Sequence, residues 1–326
     1  MPLPQSLLIP VAGLSGVAFA LIGIAYRMGQ PRGIVPAHVM VCIAAVGSII
    51  FGVRAAMLPL REVPLMVIAL GVSAGLTQYV LVRVIKAALD LGPLSPAWCA
   101  LTLSFLPTVA FSSIFLDEHM TPMRGLALAA GIACVLAASA CQSSPPSPLS
   151  EAGEGEKKAP LPTLGKGAGG DEDRPAQHHP SRIAYVGVLL LIPTFNCVSQ
   201  IAIKVMGKPN AAGVSINDRF SAVFLFLLYF VIGAGLVIEL LVTRNYRVPL
   251  LRTAGLGLMA AFGSTAGMTG LTACSALPAA TLFPVSNVVS ILVAAIVSTL
   301  AFGERRSPAW FATIGLGVLA VVLANL

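Results

Sequence analysis

Ten long apolar runs constrain this chain of 326 residues more than any other feature of its sequence. An α-helix rises about 1.5 Å per residue, so about 20 mostly apolar residues are needed to cross a hydrocarbon layer about 30 Å thick. The runs have that length, whereas transmembrane β-strands are shorter and alternate apolar with polar side chains. The sequence therefore predicts an all-α membrane protein with ten transmembrane helices, near residues 6–29, 33–57, 63–89, 96–116, 123–141, 183–206, 220–242, 254–277, 280–302 and 308–326.

The composition indicates that a lipid bilayer surrounds these helices. Only 10% of the residues are charged, against roughly 25% in a typical soluble domain. The net charge of +7 comes from Lys and Arg residues scattered among short connections, so no nucleic acid is expected as a partner. The six cysteines lie in or at the ends of the apolar runs without metal-ligand spacing, so no metal or other cofactor is expected.

One segment, residues 142–181, interrupts the apolar pattern. It is rich in Pro, Gly, Ser and charged residues and cannot bury a core. We therefore expect a disordered tether, which is also a candidate binding segment for a protein partner. The tether separates two blocks of five predicted helices, residues 1–141 and residues 182–326.

The two blocks carry the signs of an internal repeat. Each block places a Glu at the end of its fourth helix, a Pro four residues later and a Gly thirteen residues later, at Glu118, Pro122 and Gly131 and at Glu304, Pro308 and Gly317. Because each block holds an odd number of helices, the second enters the membrane from the opposite side to the first. Inverted repeats of this kind are a recurrent plan of transporters, in which the substrate lies near the midplane.

Two stretches resemble the EamA-like branch of the drug/metabolite transporter superfamily. Residues 87–96 read Ala-Ala-Leu-Asp-Leu-Gly-Pro-Leu-Ser-Pro and precede a helix that ends in Leu-Asp-Glu. Residues 277–284 read Leu-Pro-Ala-Ala-Thr-Leu-Phe-Pro and lead to the Phe-Gly-Glu-Arg of residues 302–305. The resemblance covers nearly the whole chain outside the tether, and its motifs mark the fold rather than a substrate. Two features depart from the family, namely Asp117 in place of the usual Gly and the length of the tether.

The resemblance implies two inverted five-helix repeats around a central site lined by helices 1, 3, 4, 6, 8 and 9. It also implies that both termini lie in the cytoplasm. The excess of Lys and Arg in the tether and in the connections after the odd-numbered helices predicts the opposite orientation. The orientation therefore stays open.

Polar side chains deep in apolar helices nominate a substrate pathway, because such a side chain is costly where it faces lipid. On helix 6, Asn196, Gln200 and Lys204 recur every four residues and share one face. An amide pair leading to an ammonium suits a polyhydroxylated or anionic solute. Alternatively, the amides join neighbouring helices and Lys204 extends to the membrane surface.

Helices 3, 4 and 9 supply the other candidate substrate-binding residues. Helix 3 offers Gln78, Tyr79 and Arg83, although the arginine is close enough to the helix end for a surface position. Helix 9 offers Asn287 and Ser290 after a proline, Pro284, that we expect to open the helix backbone, as Pro193 does before Asn196. Trp98 near the start of helix 4 either stacks against a substrate ring or anchors the chain at the membrane surface.

These features predict a secondary transporter that moves a small polar or amphipathic metabolite by alternating access, with export suggested by the family. The expected location is the plasma (inner) membrane, with several crossings. An enzyme is not expected, because no nucleophile, paired acids or metal motif is visible among the apolar runs. A membrane-embedded enzyme and a non-transporting scaffold that recruits a partner through the tether are the alternatives.

Overall fold

The computed structural model describes residues 4–29, 34, 36–91, 97, 100–142, 182–208, 215–243, 250–302 and 308–324. Within these ranges the chain is all-helical and contains no β-strand, which confirms the predicted α-helical class. Nearly all of the predicted tether lies outside the described residues, and Gln142 is the last residue of a helix.

The described ranges contain ten α-helices of eleven residues or more. Their bounds are α1 Gln5–Gly29, α2 Pro36–Ala56, α3 Leu65–Leu91, α4 Phe105–Phe115, α5 Pro122–Gln142, α6 Arg182–Gly207, α7 Ile216–Thr243, α8 Leu250–Ala273, α9 Ala279–Phe302 and α10 Pro308–Ala324. A short 3-10 turn, Leu60–Glu62, precedes α3. Each helix overlaps one predicted apolar run. The largest difference between a predicted and an observed boundary is at the start of α4.

Helix α4 is shorter than predicted because the chain is interrupted before it. Residues 100–102 are helical, Leu103 and Ser104 form a turn, and Phe105 begins α4. Pro107 lies in the first turn of α4, where a missing backbone N–H is tolerated. The carbonyl of Leu103 accepts the N–H of Leu106 at 3.0 Å instead of a bond from residue 107.

The two prolines that we expected to open a helix do not do so. Pro193 lies inside a continuous α6 and Pro284 inside a continuous α9. A proline removes one hydrogen bond from a helix, whereas a break in lipid would leave several backbone groups without partners. The expectation of broken helices at these two positions is therefore wrong.

Six of the helices are long and apolar enough to cross a membrane. These segments are Ser6–Gly29, Ala37–Ala56, Leu65–Ala88, Tyr185–Gly207, Arg219–Thr243 and Ala279–Ala301. Large apolar side chains on their outer surfaces are exposed, including Leu14, Leu65 and Leu300. Exposed apolar surface of this extent is unfavourable in water and is typical of a protein that faces lipid. The chain is therefore a membrane protein.

The most extensive helix contacts join the first half of the chain to the second. Helix α1 packs against α8 and α9, α3 packs against α6 and α7, and α2 packs against α7 and α8. Helix α4 packs against α6, and α5 packs against α10. We call α1, α8 and α9 the first bundle, and α3, α4 and α6 the second bundle. The two sequence halves are interlocked rather than separate bodies.

Candidate functional site

An amide side chain on α6, Asn196, connects all three helices of the second bundle. Its Oδ1 accepts a hydrogen bond from Gln78 Nε2 of α3 at 2.9 Å. Its Nδ2 donates to Ser104 Oγ at 2.7 Å and to the carbonyl oxygen of Leu101 at 3.4 Å. Gln78 Nε2 also donates to Ser199 Oγ at 2.8 Å. The predicted residues Asn196 and Gln78 are thus brought together beside the interruption that precedes α4.

Gln200 continues the same network one turn further along α6. Its Nε2 donates to Ser104 Oγ at 3.0 Å, and its Oε1 accepts from Thr108 Oγ1 at 2.9 Å. Ser104 and Thr108 are fully buried, and Gln200 is buried as well. The polar groups of Gln200 therefore bind neighbouring helices, which favours the joining role that we considered for this residue.

The accessible edge of the network is formed by Gln78 and Asn196, which are half-buried. Among the described residues, none donates a hydrogen bond to Gln78 Oε1, and this oxygen is not enclosed. A solute group that donates a hydrogen bond therefore has one preformed acceptor at this edge.

Asn287 of α9 approaches the same interruption from the first bundle. Its Nδ2 donates to the carbonyl oxygen of Thr102 at 3.3 Å. Asn196 contacts the adjacent carbonyl of Leu101, so amides from both bundles meet the short helical segment before α4. Ser290 lies one turn further along α9 and is half-buried. The two amides therefore meet the chain at the interruption before α4, and not at a proline break in α6 or α9.

Tyr79 and Arg83 lie in a separate cluster between α3 and α7. Arg83 forms an ion pair with Glu239 of α7, and Tyr79 Oη donates to Glu239 Oε2 at 3.1 Å. The guanidinium carbon of Arg83 lies 5.7 Å from the centre of the Tyr79 ring. The charge of Arg83 is balanced by Glu239, so these contacts give Arg83 a partner within the protein.

Lys204 lies at the end of α6, where its side chain is only 4% exposed. Its ammonium group pairs with Glu118 Oε1 at 2.5 Å and donates to the carbonyl oxygens of Ser275 and Leu277. The Lys204 side chain is therefore enclosed by protein groups that neutralise and bind its ammonium. The sequence did not indicate this pairing, because Glu118 and the residues before α9 are far from Lys204 along the chain.

Glu118 also fixes the start of α9. Its Oε2 accepts the backbone N–H of Ala279 at 2.7 Å. The preceding residue, Asp117, has a φ of 57°, which is the left-handed conformation that glycine adopts most easily. This conformation is consistent with Asp117 standing where the resembled family has Gly.

Trp98 lies outside the described residues. Trp310, which like Trp98 stands near the start of a predicted helix, has its indole N–H 3.4 Å from the carbonyl oxygen of Ala295. The hydroxyls of Thr265, Thr269 and Thr272 donate to carbonyls of their own helix, α8. Within the described ranges, no three His, Cys, Asp or Glu side chains are grouped as metal ligands.

The fold has counterparts among solved structures. Thirteen chains of solved structures are similar to this protein. One of them, described only as a crystal structure of a protein, has a TM-score of 0.70 and 15% sequence identity. The similarity covers 99% of this chain and 97% of that chain, and at this identity it shows a shared fold alone. No protein-family model matches the chain, and no curated protein matches it.

Proposed function

We propose that this protein is a secondary transporter of the EamA-like branch of the drug/metabolite transporter superfamily. It moves a small polar or amphipathic metabolite across the plasma (inner) membrane by alternating access. The observation that carries the proposal is the meeting of Asn196 and Asn287, from opposite bundles, at the interrupted start of α4. Interrupted membrane helices are typical of transporter binding sites.

The pattern of helix contacts supports ten crossings arranged as two inverted repeats. Each helix of the first half has a counterpart five helices later, so α1 corresponds to α6 and α3 to α8. When every helix is replaced by its counterpart, the α1–α8 contact becomes the α6–α3 contact. In the same way the α1–α9 contact becomes the α6–α4 contact, and the α3–α7 contact becomes the α8–α2 contact. The α2–α7 and α5–α10 contacts are unchanged by this exchange of counterparts.

Two glycines support the same exchange at the level of single residues. Gly71 and Gly257 are separated by the same interval as Glu118 and Glu304. A Cβ atom at Gly71 would lie 2.8 Å from Leu227 of α7, and one at Gly257 would lie 2.6 Å from Cys42 of α2. Gly71 therefore permits close approach of α3 and α7, and Gly257 permits close approach of α8 and α2. The exchange of counterparts converts one of these contacts into the other.

In this proposal the moving units are the first and second bundles, because the sequence halves are interlocked. The α2–α7 pair contacts both bundles and provides a surface against which they move, whereas the α5–α10 pair packs against α9 of the first bundle. The substrate lies where Asn196, Asn287 and Gln78 meet. Uncharged hydrogen-bonding groups suit these amides, whereas Arg83 and Lys204, the two cations among the predicted substrate-binding residues, are already paired with carboxylates.

Flux of a mixed metabolite panel into proteoliposomes tests the transport proposal. We expect Asn196→Ala and Asn287→Ala each to lower the flux of a transported solute about five- to tenfold, the effect of losing about one hydrogen bond. Thr77→Ala is the matched control, because Thr77 adjoins Gln78 but bonds only to carbonyls of its own helix. Normal flux in both Asn variants would contradict the site, and wild-type protein that moves no solute would contradict the function.

Labelling of single cysteines tests the ten-helix topology separately. Position 29 is the last residue of the first helix and position 303 follows the ninth, and these two helices must end on the same side if all ten helices cross. We therefore expect Gly29→Cys and Gly303→Cys to react with a membrane-impermeant maleimide from the same side of a sealed vesicle. That side establishes the orientation of the termini. Labelling from opposite sides would exclude the proposed topology.

A further inference from the structure

The Lys204 ammonium group occupies a cage made of three oxygen atoms. It lies 2.5 Å from the Glu118 carboxylate, 3.1 Å from the Ser275 carbonyl and 2.5 Å from the Leu277 carbonyl. An ammonium group has three N–H donors, so each oxygen takes one of them. An ordinary ion pair requires only the carboxylate, and the two carbonyls make this site more selective for a compact cation.

The two carbonyls belong to the chain that leaves the end of α8. Ser275 and Leu277 lie between Ala273, the last residue of α8, and Ala279, the first of α9, so their carbonyl oxygens are outside a helical hydrogen-bond ladder and keep the acceptor character of backbone carbonyls. In transporters, such carbonyls and nearby carboxylates are the groups that bind coupling cations. In this protein the oxygens surround a lysine instead.

The cage does not depend on the lysine for its shape. The second oxygen of Glu118 is held by the backbone N–H of Ala279 at 2.7 Å. Asn217 donates to Ser275 Oγ at 3.0 Å and also to the carbonyl oxygen of Thr272, which anchors the end of α8. A Cβ at Gly207 would lie 2.5 Å from the Ser275 Cβ, so the chain after α6 also packs directly on this turn. Glu118 and Ser275 therefore have contacts besides those to Lys204, and we expect the cage to keep its shape when the lysine side chain is removed.

We propose that the cage is a binding site for a monovalent cation, and that Lys204 fills it as a tethered cation. The native protein therefore needs no free cation at this position. The site connects the two bundles, because Lys204 lies in the last turn of α6 and Glu118 follows α4, both of the second bundle, while the carbonyls follow α8 of the first. An occupied cage consequently holds the bundles together at this end of the molecule, whether or not the chain transports a solute.

Chemical rescue of Lys204→Ala tests the proposal in the full-length protein in detergent. n-Propylammonium supplies the three methylenes and the ammonium that this variant lacks. Melting temperatures are compared in propylammonium chloride, NaCl, KCl and choline chloride at equal ionic strength. We expect propylammonium to raise the Tm of Lys204→Ala by at least about 3 °C above its value in choline, with saturation as its concentration increases.

Matched controls separate cation binding from other effects. Lys208 lies one turn later, is half-exposed and, within the described ranges, pairs only with Asp117 at 4.0 Å, so Lys208→Ala is expected to give no response beyond that of wild-type protein. Lys204→Ala/Glu118→Gln is expected to lose the response, because the carboxylate is absent. n-Butanol, which has a similar size but no charge, is expected to have no effect.

Several outcomes would overturn the proposal. These are an unresponsive Lys204→Ala, an equal response in wild-type protein, and an equal response to n-butanol. If Lys204→Ala folds only when propylammonium is present during purification, the proposal is supported. If it folds in none of the salts while Lys204→Met/Glu118→Gln does fold, the cage does not accept a free cation. All of these readouts are independent of transport, so they stand apart from the flux experiment.

Discussion

Gly16→Ala is expected to destabilise the protein by at least about 2–3 kcal/mol and to lower its melting temperature by at least about 5 °C. Gly16 lies where α1 crosses α9. An added Cβ would collide with the carbonyl oxygen of Ser286 and lie 3.0 Å from Val289 Cβ. A backbone carbonyl cannot rotate away as a side chain can, so the helices themselves must separate.

Gly13→Ala provides the matched control for this prediction. Gly13 is one turn earlier on α1 and faces the same neighbour, but an added Cβ would lie 4.0 Å from Val289 Cγ2, an ordinary contact. We expect this variant to melt within about 1–2 °C of wild-type protein, since alanine also favours the helix over glycine. Thermal unfolding and size-exclusion chromatography in detergent measure both variants, and equal melting temperatures for the two would contradict the close crossing.

The large effect expected at Gly16 follows from how membrane helices associate. Lipid chains are as apolar as the helix surface, so close packing and hydrogen bonds hold the helices together. Helix α1 is pressed against both other helices of the first bundle, since a Cβ at Gly263 of α8 would collide with the carbonyl oxygen of Ala18. Separating α1 from α9 at Gly16 therefore disturbs the whole bundle.

The helices could be predicted from sequence because a lipid bilayer places one simple requirement on the backbone of a segment that crosses it. Every backbone N–H and C=O must find a partner within the segment, so a long apolar run leaves few alternatives to a helix. The interruption at Leu103 and Ser104 was missed, although Pro107 is a visible signal for it. Proline suits the first turn of a helix, so a helix that begins shortly before Pro107 is a better prediction than one that passes through it.

The candidate site could be predicted only in part. The four-residue spacing of Asn196 and Gln200 correctly predicts a shared face, and that face meets Gln78. The spacing does not reveal the partners, because Ser104 and Thr108 belong to another helix. Lys204 was harder still, since its cage is assembled from the ends of α4, α6 and α8, which only the tertiary fold brings together.

Ser104→Ala is expected to destabilise the protein by about 1–3 kcal/mol, or about 3–8 °C in Tm. Ser104 Oγ accepts hydrogen bonds from Asn196 Nδ2 and Gln200 Nε2, and it is fully buried. Alanine removes both interactions and leaves Gln200 Nε2 as a buried donor with no remaining described partner. The cost comes mainly from the buried amide that loses its acceptor, since removing the hydroxyl alone costs little.

Ser112→Ala is the matched control, because Ser112 lies in α4, the helix that Ser104 immediately precedes, and is also buried. Its hydroxyl finds no hydrogen-bond partner among the described residues. Removing it is therefore expected to leave the stability unchanged within about 0.5 kcal/mol or to raise it slightly. Thermal unfolding measures the stability of both variants. Gln200→Leu, alone and in the Ser104→Ala background, completes a double-mutant cycle. If Ser104 holds the network as the geometry indicates, Gln200→Leu destabilises the protein less in that background than alone, whereas additive effects would show that the two residues act separately.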